Sequence, residues 1–372
     1  MQHQFLGKKT AIALALVGAF AASSAHADVK VVDGLSVFGL ADLSLQSSQA
    51  PVSGTTSNLT PTSGAMTTSY FGIKGERAVG STGLTAGFSA STFLDLTKGS
   101  VIGPNLFTRN ASGSLAGSFG KVTIGRDIAP HFLPTILFNA YGDSGGYGPL
   151  WHAMYFNFNT PSQKISNSTS NGLYGDTAWD RQIIYTLPKF GNAEINLHYA
   201  PNSGTASGNN FGANVLYFDG PLALTAYYSN TQVLPIGNSE IGMDIFTVGN
   251  NAAQAYMAGA SYDFGVAKVF MTYQDAKQSS ANTDSKVFHV STKIPAGPGK
   301  ILLAYANTNY SSNLVALNAA LGGVSSTVNE TVVGYDYPLD DKTDAYVNYG
   351  YTSASNTSGT GYVYGAGIRM KF

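Results

Sequence analysis

Carboxylates are the residues of this chain whose spacing comes closest to that of a metal site. Asp336, Asp340, Asp341 and Asp344 lie close together, and oxygen ligands placed in this way could hold a divalent cation. The same pattern is more often a solvated turn. The chain has no Cys and no H-E-x-x-H, P-loop or C-x-x-C motif. We therefore predict no resident metal and no cofactor, and a cation at these aspartates is the alternative.

A second segment, 142–146, reads Gly-Asp-Ser-Gly-Gly and resembles the segment around the nucleophile of trypsin-like proteases. A serine nucleophile needs a histidine base that is oriented by an aspartate. The family's histidine lies far upstream in a separate barrel, whereas His131 lies only a short way before Ser144, in the same predicted loop. We interpret the segment as a flexible glycine-rich bend.

Two histidines lie in segments that are predicted to be strands, 191–200 and 285–294. His198 alternates with Leu197 and Tyr199, and His289 also follows apolar residues. Because successive side chains of a strand point to opposite faces, both imidazoles are expected opposite the apolar face. A lipase-like barrel would need a Ser–His pair on that apolar face. We therefore predict that the chain is not an enzyme; a barrel-based enzyme or adhesin is the alternative from another class.

The composition excludes several classes of protein. Only 11% of the 372 residues are charged, whereas a soluble globular chain has roughly a quarter. The mean hydropathy is +0.01, and Gly and Tyr are abundant, with 43 and 22 residues. These values exclude a helical membrane bundle, a coiled coil and an acidic disordered chain. The net charge of −1 gives no reason to expect nucleic-acid binding.

The N-terminal residues have the pattern of an export signal. Lys8 and Lys9 precede the apolar run 11–22, and Ala25-His26-Ala27 offers a cleavage site before Asp28. The apolar run is too short to span a bilayer as a helix. We predict a cleaved signal peptide at 1–27 and a single domain at 28–372, which folds without disulfides.

Apolar and mostly polar residues alternate through most of the remaining chain, for example from Leu35 to Gln46. Short connections alternate with long ones rich in Ser, Thr, Asn and Gly, as in a barrel with turns at one rim and loops at the other. An edge left unpaired in lipid is costly, so the sheet must close. We predict an all-β fold, a transmembrane antiparallel up-and-down β-barrel of 16 strands. The predicted strands are 33–46, 67–77, 81–94, 105–117, 120–126, 180–188, 191–200, 211–218, 220–230, 253–263, 265–274, 285–294, 299–307, 328–337, 341–351 and 361–372.

Aromatic residues lie where the two membrane interfaces would be. Phenylalanines occur at the predicted tight turns, and tyrosines occur toward the long loops. They are Phe119, Phe190, Phe218, Phe264, Tyr199, Tyr228, Tyr273, Tyr305 and Tyr351. This arrangement favours a membrane barrel over a soluble sandwich or propeller.

Several motifs along the mature chain resemble those of one family. They lie at 71–76, 83–86, 106–111, 119–126, 185–191, 259–265, 333–337 and 364–372, and the last ends in Phe372. In this order they resemble the general-diffusion porins of Gram-negative outer membranes, of the type common in β-proteobacteria. The resemblance implies passive diffusion of small hydrophilic solutes and ions through a homotrimer of barrels. It also implies contact with outer-membrane lipid, lipopolysaccharide and the assembly machinery, for which Phe372 would be the signal.

The resemblance further implies that the long third loop, 127–179, folds into the lumen and constricts the pore. This loop contains Asp127 and Asp143 but few other carboxylates, which leaves the ion selectivity open. Its aromatic residues include Tyr141, Tyr147 and Trp151. They are expected mainly to pack the loop against the wall, although an aromatic binding track in a solute-selective channel is an alternative function.

The side chains expected to line the lumen are charged. Strand alternation places Lys74, Glu76, Lys268 and Arg369 opposite apolar neighbours. The resemblance adds Arg109 and Arg126, although small polar residues on both sides leave the orientation of their strands ambiguous. A ring of such charges would set which ions pass.

Overall fold

The computed structural model describes residues 28–49, 56, 58–103, 105–155, 177–201, 208–232, 252–278, 283–312, 326–355 and 360–372. The predicted signal peptide lies outside these residues. The helices are α1 (Phe132–Leu137) and α2 (Pro149–Tyr155). The strands are β1 (Val29–Val32), β2 (Leu35–Gln49), β3 (Thr60–Ser63), β4 (Tyr70–Ala78), β5 (Thr85–Asp95), β6 (Ser100–Val101), β7 (Asn110–Gly117), β8 (Gly120–Ile128), β9 (Ala178–Thr186), β10 (Ala193–Ala200), β11 (Asn210–Asp219), β12 (Leu222–Gln232), β13 (Ala252–Asp263), β14 (Lys268–Gln278), β15 (Thr283–Ala296), β16 (Gly299–Tyr310), β17 (Thr327–Pro338), β18 (Thr343–Ala354) and β19 (Thr360–Lys371). None of the described helices is both long and apolar enough to cross a membrane.

The strands form one closed antiparallel sheet. Each long strand pairs with its neighbour in sequence, and β19 pairs with β2 from Tyr362↔Gln49 to Lys371↔Leu40, which closes the barrel. Of the 19 strands, β1, β3 and β6 are short additions to β2 and β5, so the wall contains the remaining 16. The predicted barrel of 16 strands is therefore confirmed.

The two faces of the wall differ in chemistry. On β2, Leu43 and Leu45 are 41% and 49% exposed, whereas Ser44 and Gln46 are buried. We call the exposed apolar face the outer face and the opposite one the inner face. The alternation expected from the sequence also holds for His198, which is buried between the exposed Leu197 and Tyr199. This pattern suits a barrel with lipid outside and polar groups inside.

Tight turns connect the strands at one rim. Three of these turns contain the dipeptide Phe-Gly, at 119–120, 190–191 and 264–265, and Gly120 and Gly265 have φ of 103° and 81°. Glycine adopts this left-handed backbone without the steric penalty of a side chain. The preceding Phe190 and Phe264, in two of the turns, are 82% and 62% exposed, as expected for rings at a membrane interface.

The described part of the long third loop, 129–155, packs on the inner face. Helix α1 contacts β11 and β12, and α2 contacts β15, β16 and β17. Tyr147 of this segment also packs against Tyr346 of β18. One segment can contact strands on so many sides of a closed sheet only from its concave side. The inner face is therefore concave, and the loop segment lies against it.

Candidate pore constriction

Hydrogen bonds join the loop segment to several parts of the wall. The Ala140 amide donates to Ser291 Oγ at 2.9 Å, and the Tyr141 hydroxyl donates to the Leu302 carbonyl at 3.2 Å. Ser144 Oγ donates to the carbonyl of Ala65, in the connection between β3 and β4, at 2.8 Å. These bonds fix the segment to separate parts of the barrel. They also give Ser144 a structural role, which agrees with a bend rather than a nucleophile.

A buried ion pair attaches α2 to β17. His152 Nδ1 lies 2.7 Å from Glu330 Oε1, and His152 Nε2 lies 3.0 Å from the Gly145 carbonyl. Both side chains are at most 5% exposed. Burial by itself lowers the pKa of His152, but the Glu330 carboxylate outweighs burial, so the pKa is raised. The Glu330 carboxylate thus favours the charged form of the imidazole.

Three aromatic residues expected in the loop are packed against the wall. Tyr141, Tyr147 and Trp151 are only 2%, 0% and 6% exposed. Tyr147 packs edge-on against Tyr346, with ring centroids 6.2 Å apart. Trp151 belongs to a buried cluster with Leu150, Met154, Tyr227, Met257 and Val287. These rings leave little surface for a solute, so their placement favours packing over a binding track.

Arg109 lies on the inner face although it precedes β7. Its guanidinium lies over the Tyr70 ring, 4.3 Å from the centroid, and Nη1 donates to Ser91 Oγ at 3.3 Å. Tyr70 is the ladder partner of Leu40, whose side chain is buried on the inner face. The Arg109 guanidinium therefore lies on the inner face, and its role in the constriction stays a prediction.

Asp143 of the loop segment brings a carboxylate close to Arg109 and Arg369. Burial raises the pKa of Asp143, and the positive charges of Arg369 and Arg109 act against this effect. Arg369 also donates to Thr67 Oγ1 at 2.9 Å and pairs with Asp344 at 3.1 Å. The loop and two sides of the wall therefore meet at a cluster of opposite charges.

Arg126 occupies the other face, unlike the sequence expectation. The ladder pairs Arg126 with Ala111, Ala111 with Ala90, and Ala90 with Ile73. Paired residues share a face, and this row lies on the outer one with Phe71 and Leu115. Its guanidinium pairs with Asp180 at 2.6 Å. We therefore leave Arg126 out of the proposed constriction.

The other charged residues expected in the lumen have local partners or are solvated. Lys74 pairs with Asp28 at 2.5 Å and lies over the Phe38 ring, and Glu76 is exposed. Lys268 lies over the Phe270 ring, 5.3 Å from the centroid. Asp127 accepts a hydrogen bond from Ser112 Oγ at 2.6 Å. Phe156, Phe158 and Asp176, which also belong to the predicted loop 127–179, lie outside the described residues.

The aspartate group in the β17–β18 connection forms a turn. Asp340 Oδ1 accepts the amides of Lys342 and Thr343 at 2.7 Å, and the Lys342 amide is the main cause of its lowered pKa. No group of metal-binding side chains occurs among the described residues. The turn interpretation therefore accounts for Asp340.

Phe372 lies at the seam where the barrel closes. Its amide donates to the Gly39 carbonyl at 3.0 Å and its carbonyl accepts from the Gly39 amide at 2.8 Å. The ring covers Gly39 on the outer face so closely that a Cβ there would clash with it. The role of Phe372 as an assembly signal stays a prediction.

Sequence reasoning missed two charged residues on or beside the inner face. Lys293 pairs in the ladder with Lys268, and Asp28 is the carboxylate that neutralises Lys74. The alternation that identified Lys268 applies equally to Lys293. For Asp28 no local signal existed, because its contact depends on the fold of β1 and β2.

Comparisons with known proteins agree with this architecture. The family model described as Gram-negative porin matches residues 11–357. Outer membrane porin protein 32 of Delftia acidovorans is 27% identical over 377 residues, which cover 97% of this chain and 95% of the relative. The solved anion-selective porin from Comamonas acidovorans has a TM-score of 0.71 at 22% identity, and the alignment covers 91% of this chain and 99% of that one. The trimer form of OmpT of Vibrio cholerae has a TM-score of 0.60 at 16% identity, with 92% and 100% covered.

The relatives and the family are channels rather than enzymes. The closed barrel of 16 strands has the apolar outer face that a bilayer requires. The chain therefore belongs to the Gram-negative porin family, as an outer-membrane porin that forms a channel for passive diffusion.

Proposed function

We propose that this porin favours small anions and that its narrowest part lies between the loop segment 129–155 and the inner wall at Arg109. The observation that carries this proposal is the state of Arg109. Its guanidinium is held on the Tyr70 ring, and no described carboxylate lies within 4.0 Å of it. Arg369, by contrast, is paired with Asp344. Arg109 thus presents positive charge that protein groups only partly balance.

The physical reason for anion preference is the low polarisability of a narrow passage. A fixed charge acts more strongly on an ion there than in bulk water, because less solvent screens it. The Comamonas relative is described as anion-selective, which supports the same direction for this chain. Asp143 on the loop opposes the effect, so a moderate preference is expected rather than exclusion of cations.

Replacing Arg109 by Gln tests the proposal. In a salt gradient across a planar bilayer, the reversal potential of Arg109→Gln should shift toward cations at about 0.1 M salt and much less at about 1 M, where screening is strong. Arg126→Gln is the matched control, because it removes the same charge from the outer face. An unchanged reversal potential in Arg109→Gln at low salt would contradict the proposal.

We also propose a homotrimer that assembles through the outer face of β2, β4, β5, β7 and β8. The described outer residues of these strands include no Tyr, in contrast to β12, β13 and β14, whose Tyr228, Tyr256 and Tyr273 are exposed near the long loops. Lipid-facing strands carry such interfacial aromatics.

The outer face of β2, β4, β5, β7 and β8 forms one sector of the barrel surface, and this sector also carries small residues and an ion pair. Ala111 and Gly113 lie on its surface, and the pair between Arg126 and Asp180 lies at its edge. Asp180 of this pair is 41% exposed. A charge directed at lipid is costly, whereas it can be satisfied against protein. The trimer form of OmpT supports this assembly. Export with cleavage before Asp28 is likewise proposed from the N-terminal sequence pattern.

A further inference from the structure

We propose that Lys268 and Lys293 form a second anion site, suited to a doubly charged oxyanion such as phosphate, between the loop segment and the short-turn rim. The two lysines are direct ladder partners on β14 and β15. Both belong to the inner face, because the neighbouring Phe270 and Ser291 are buried there while Met271 is 53% exposed on the outer face. This site rests on the proposed function, since an anion must first enter the channel.

The two ammonium groups share one aromatic ring. Lys268 Nζ lies 5.3 Å and Lys293 Nζ 5.4 Å from the centroid of Phe270. The ring face attracts each cation and limits where the flexible side chains can go. Phe270 therefore keeps both ammonium groups within 5.4 Å of one ring centroid on the lumen wall.

These charges lack the partners that neighbouring cations have. Lys300 pairs with Asp336 at 3.3 Å, and Arg369 pairs with Asp344. For Lys268 and Lys293, no carboxylate of the described residues lies within 4.0 Å. Asp263, the ladder partner of Lys268, instead accepts the Gly265 amide at 2.9 Å.

Like charges directly opposite each other on neighbouring strands repel. A bound anion with two charges and several acceptor oxygens would remove this repulsion, since each ammonium can donate three hydrogen bonds. Lysine is also a common binding group for phosphate. The unbalanced pair is thus better suited to an oxyanion of two charges than to chloride.

The lysine pair lies directly beside the constriction. Ser291, two residues before Lys293, accepts the hydrogen bond from the Ala140 amide of the loop. Phe270 belongs to the same buried cluster as Tyr141. An anion that passes Arg109 therefore reaches Lys268 and Lys293 before it leaves through the short-turn rim, and the pair would slow anions that it binds.

The test measures block of chloride current by phosphate. Single channels of the full-length protein are recorded in planar bilayers in KCl at pH 8, where phosphate is mostly doubly charged, and potassium phosphate is added. We expect phosphate to reduce the chloride current at millimolar concentrations. In the double variant Lys268→Gln/Lys293→Gln, the concentration for half-block should rise at least about fivefold. Lys268→Arg/Lys293→Arg should retain the block, because it keeps both charges.

Lys98→Gln is the control, because Lys98 is an exposed loop lysine paired with Asp95. Malonate, a dicarboxylate, shows whether the site requires phosphate or accepts dianions in general. Equal block in the wild type and the double glutamine variant would overturn the site, as would absence of block in a normally conducting wild type. A folded wild type without conductance would instead contradict the proposed function. In that case phosphate binding to the refolded protein, measured by calorimetry, still decides the site: it must be lost in the double glutamine variant.

Discussion

At the scale of single residues, the ion pair between His152 and Glu330 gives the porin a stability that depends on pH. The raised pKa of His152 means that the folded state binds its proton more tightly than the unfolded state. The stabilisation is therefore complete below the unfolded pKa of about 6.5 and is lost as the pH rises through the folded value.

We expect His152→Gln to lower the thermal stability more at pH 6 than at pH 9, with a loss of about 3 kcal/mol at pH 6. Thermal unfolding in detergent, followed by circular dichroism, measures the difference. His289→Gln is the control, since His289 is fully buried with no described carboxylate within 4.0 Å. An equal loss at both pH values would show that His152 acts through packing alone.

For Phe372, an effect on the stability of the barrel can be separated from an effect on its assembly in cells. Its deletion removes two backbone hydrogen bonds to Gly39 and the ring that covers it, with about 2 kcal/mol of apolar burial lost from the ring. If the residue is also an assembly signal, the yield of trimer in cells should fall much more than the yield of heat-stable trimer refolded from detergent. Equal losses in both assays would limit Phe372 to stability, and a normal yield in cells would exclude it as a signal.

At the scale of elements, the loop segment is held by packing that the barrel does not need for its own closure. Leu150 and Met154 of α2 are fully buried, and each contributes about 1.5–3 kcal/mol by leaving water. The wall satisfies its backbone through the strand ladder, in which 129–155 takes no part. The loop can therefore be removed without opening the sheet.

Deletion of residues 142–155 should let larger sugars enter while the barrel stays folded. Liposome swelling with sugars of increasing size measures the exclusion limit, and the heat-dependent gel shift reports folding. A deletion of equal length at 236–249, between β12 and β13, is the control. If a folded 142–155 deletion keeps the wild-type size limit, this segment does not form the constriction.

At the scale of the whole molecule, the outer surface divides into a sector with exposed tyrosines and a sector without them. Gly113 lies in the second sector, and a Cβ at this position meets only ordinary contacts within the barrel. Replacing Gly113 by Phe is thus tolerated by one barrel but interferes with close approach of a second one.

We expect Gly113→Phe to reduce the fraction of heat-stable trimer several-fold and to leave the single barrel folded. Ala260→Phe, on the outer face of β13 beside Tyr262, is the matched control and should leave the trimer intact. Light scattering on the detergent-solubilised protein gives the oligomeric state. A normal trimer fraction in Gly113→Phe would place the interface elsewhere.

The sequence by itself determined the barrel, because side chains alternate with a period of two and a membrane sheet must close. Leu43, Lys268 and Arg369 could be placed on a face by reading their neighbours alone. The tight turns with Phe-Gly could also be located from the sequence, because a left-handed backbone favours glycine.

Only the tertiary structure decided which faces the ambiguous residues occupy and what the loop contacts. Arg109 and Arg126 lie beside small polar residues that give no periodic signal, and only the ladder row from Ile73 assigns Arg126 to the outer face. His152 and Glu330 are 178 positions apart. Such a contact depends on how the closed barrel brings distant strands to one loop, and no local pattern of residues encodes that distance.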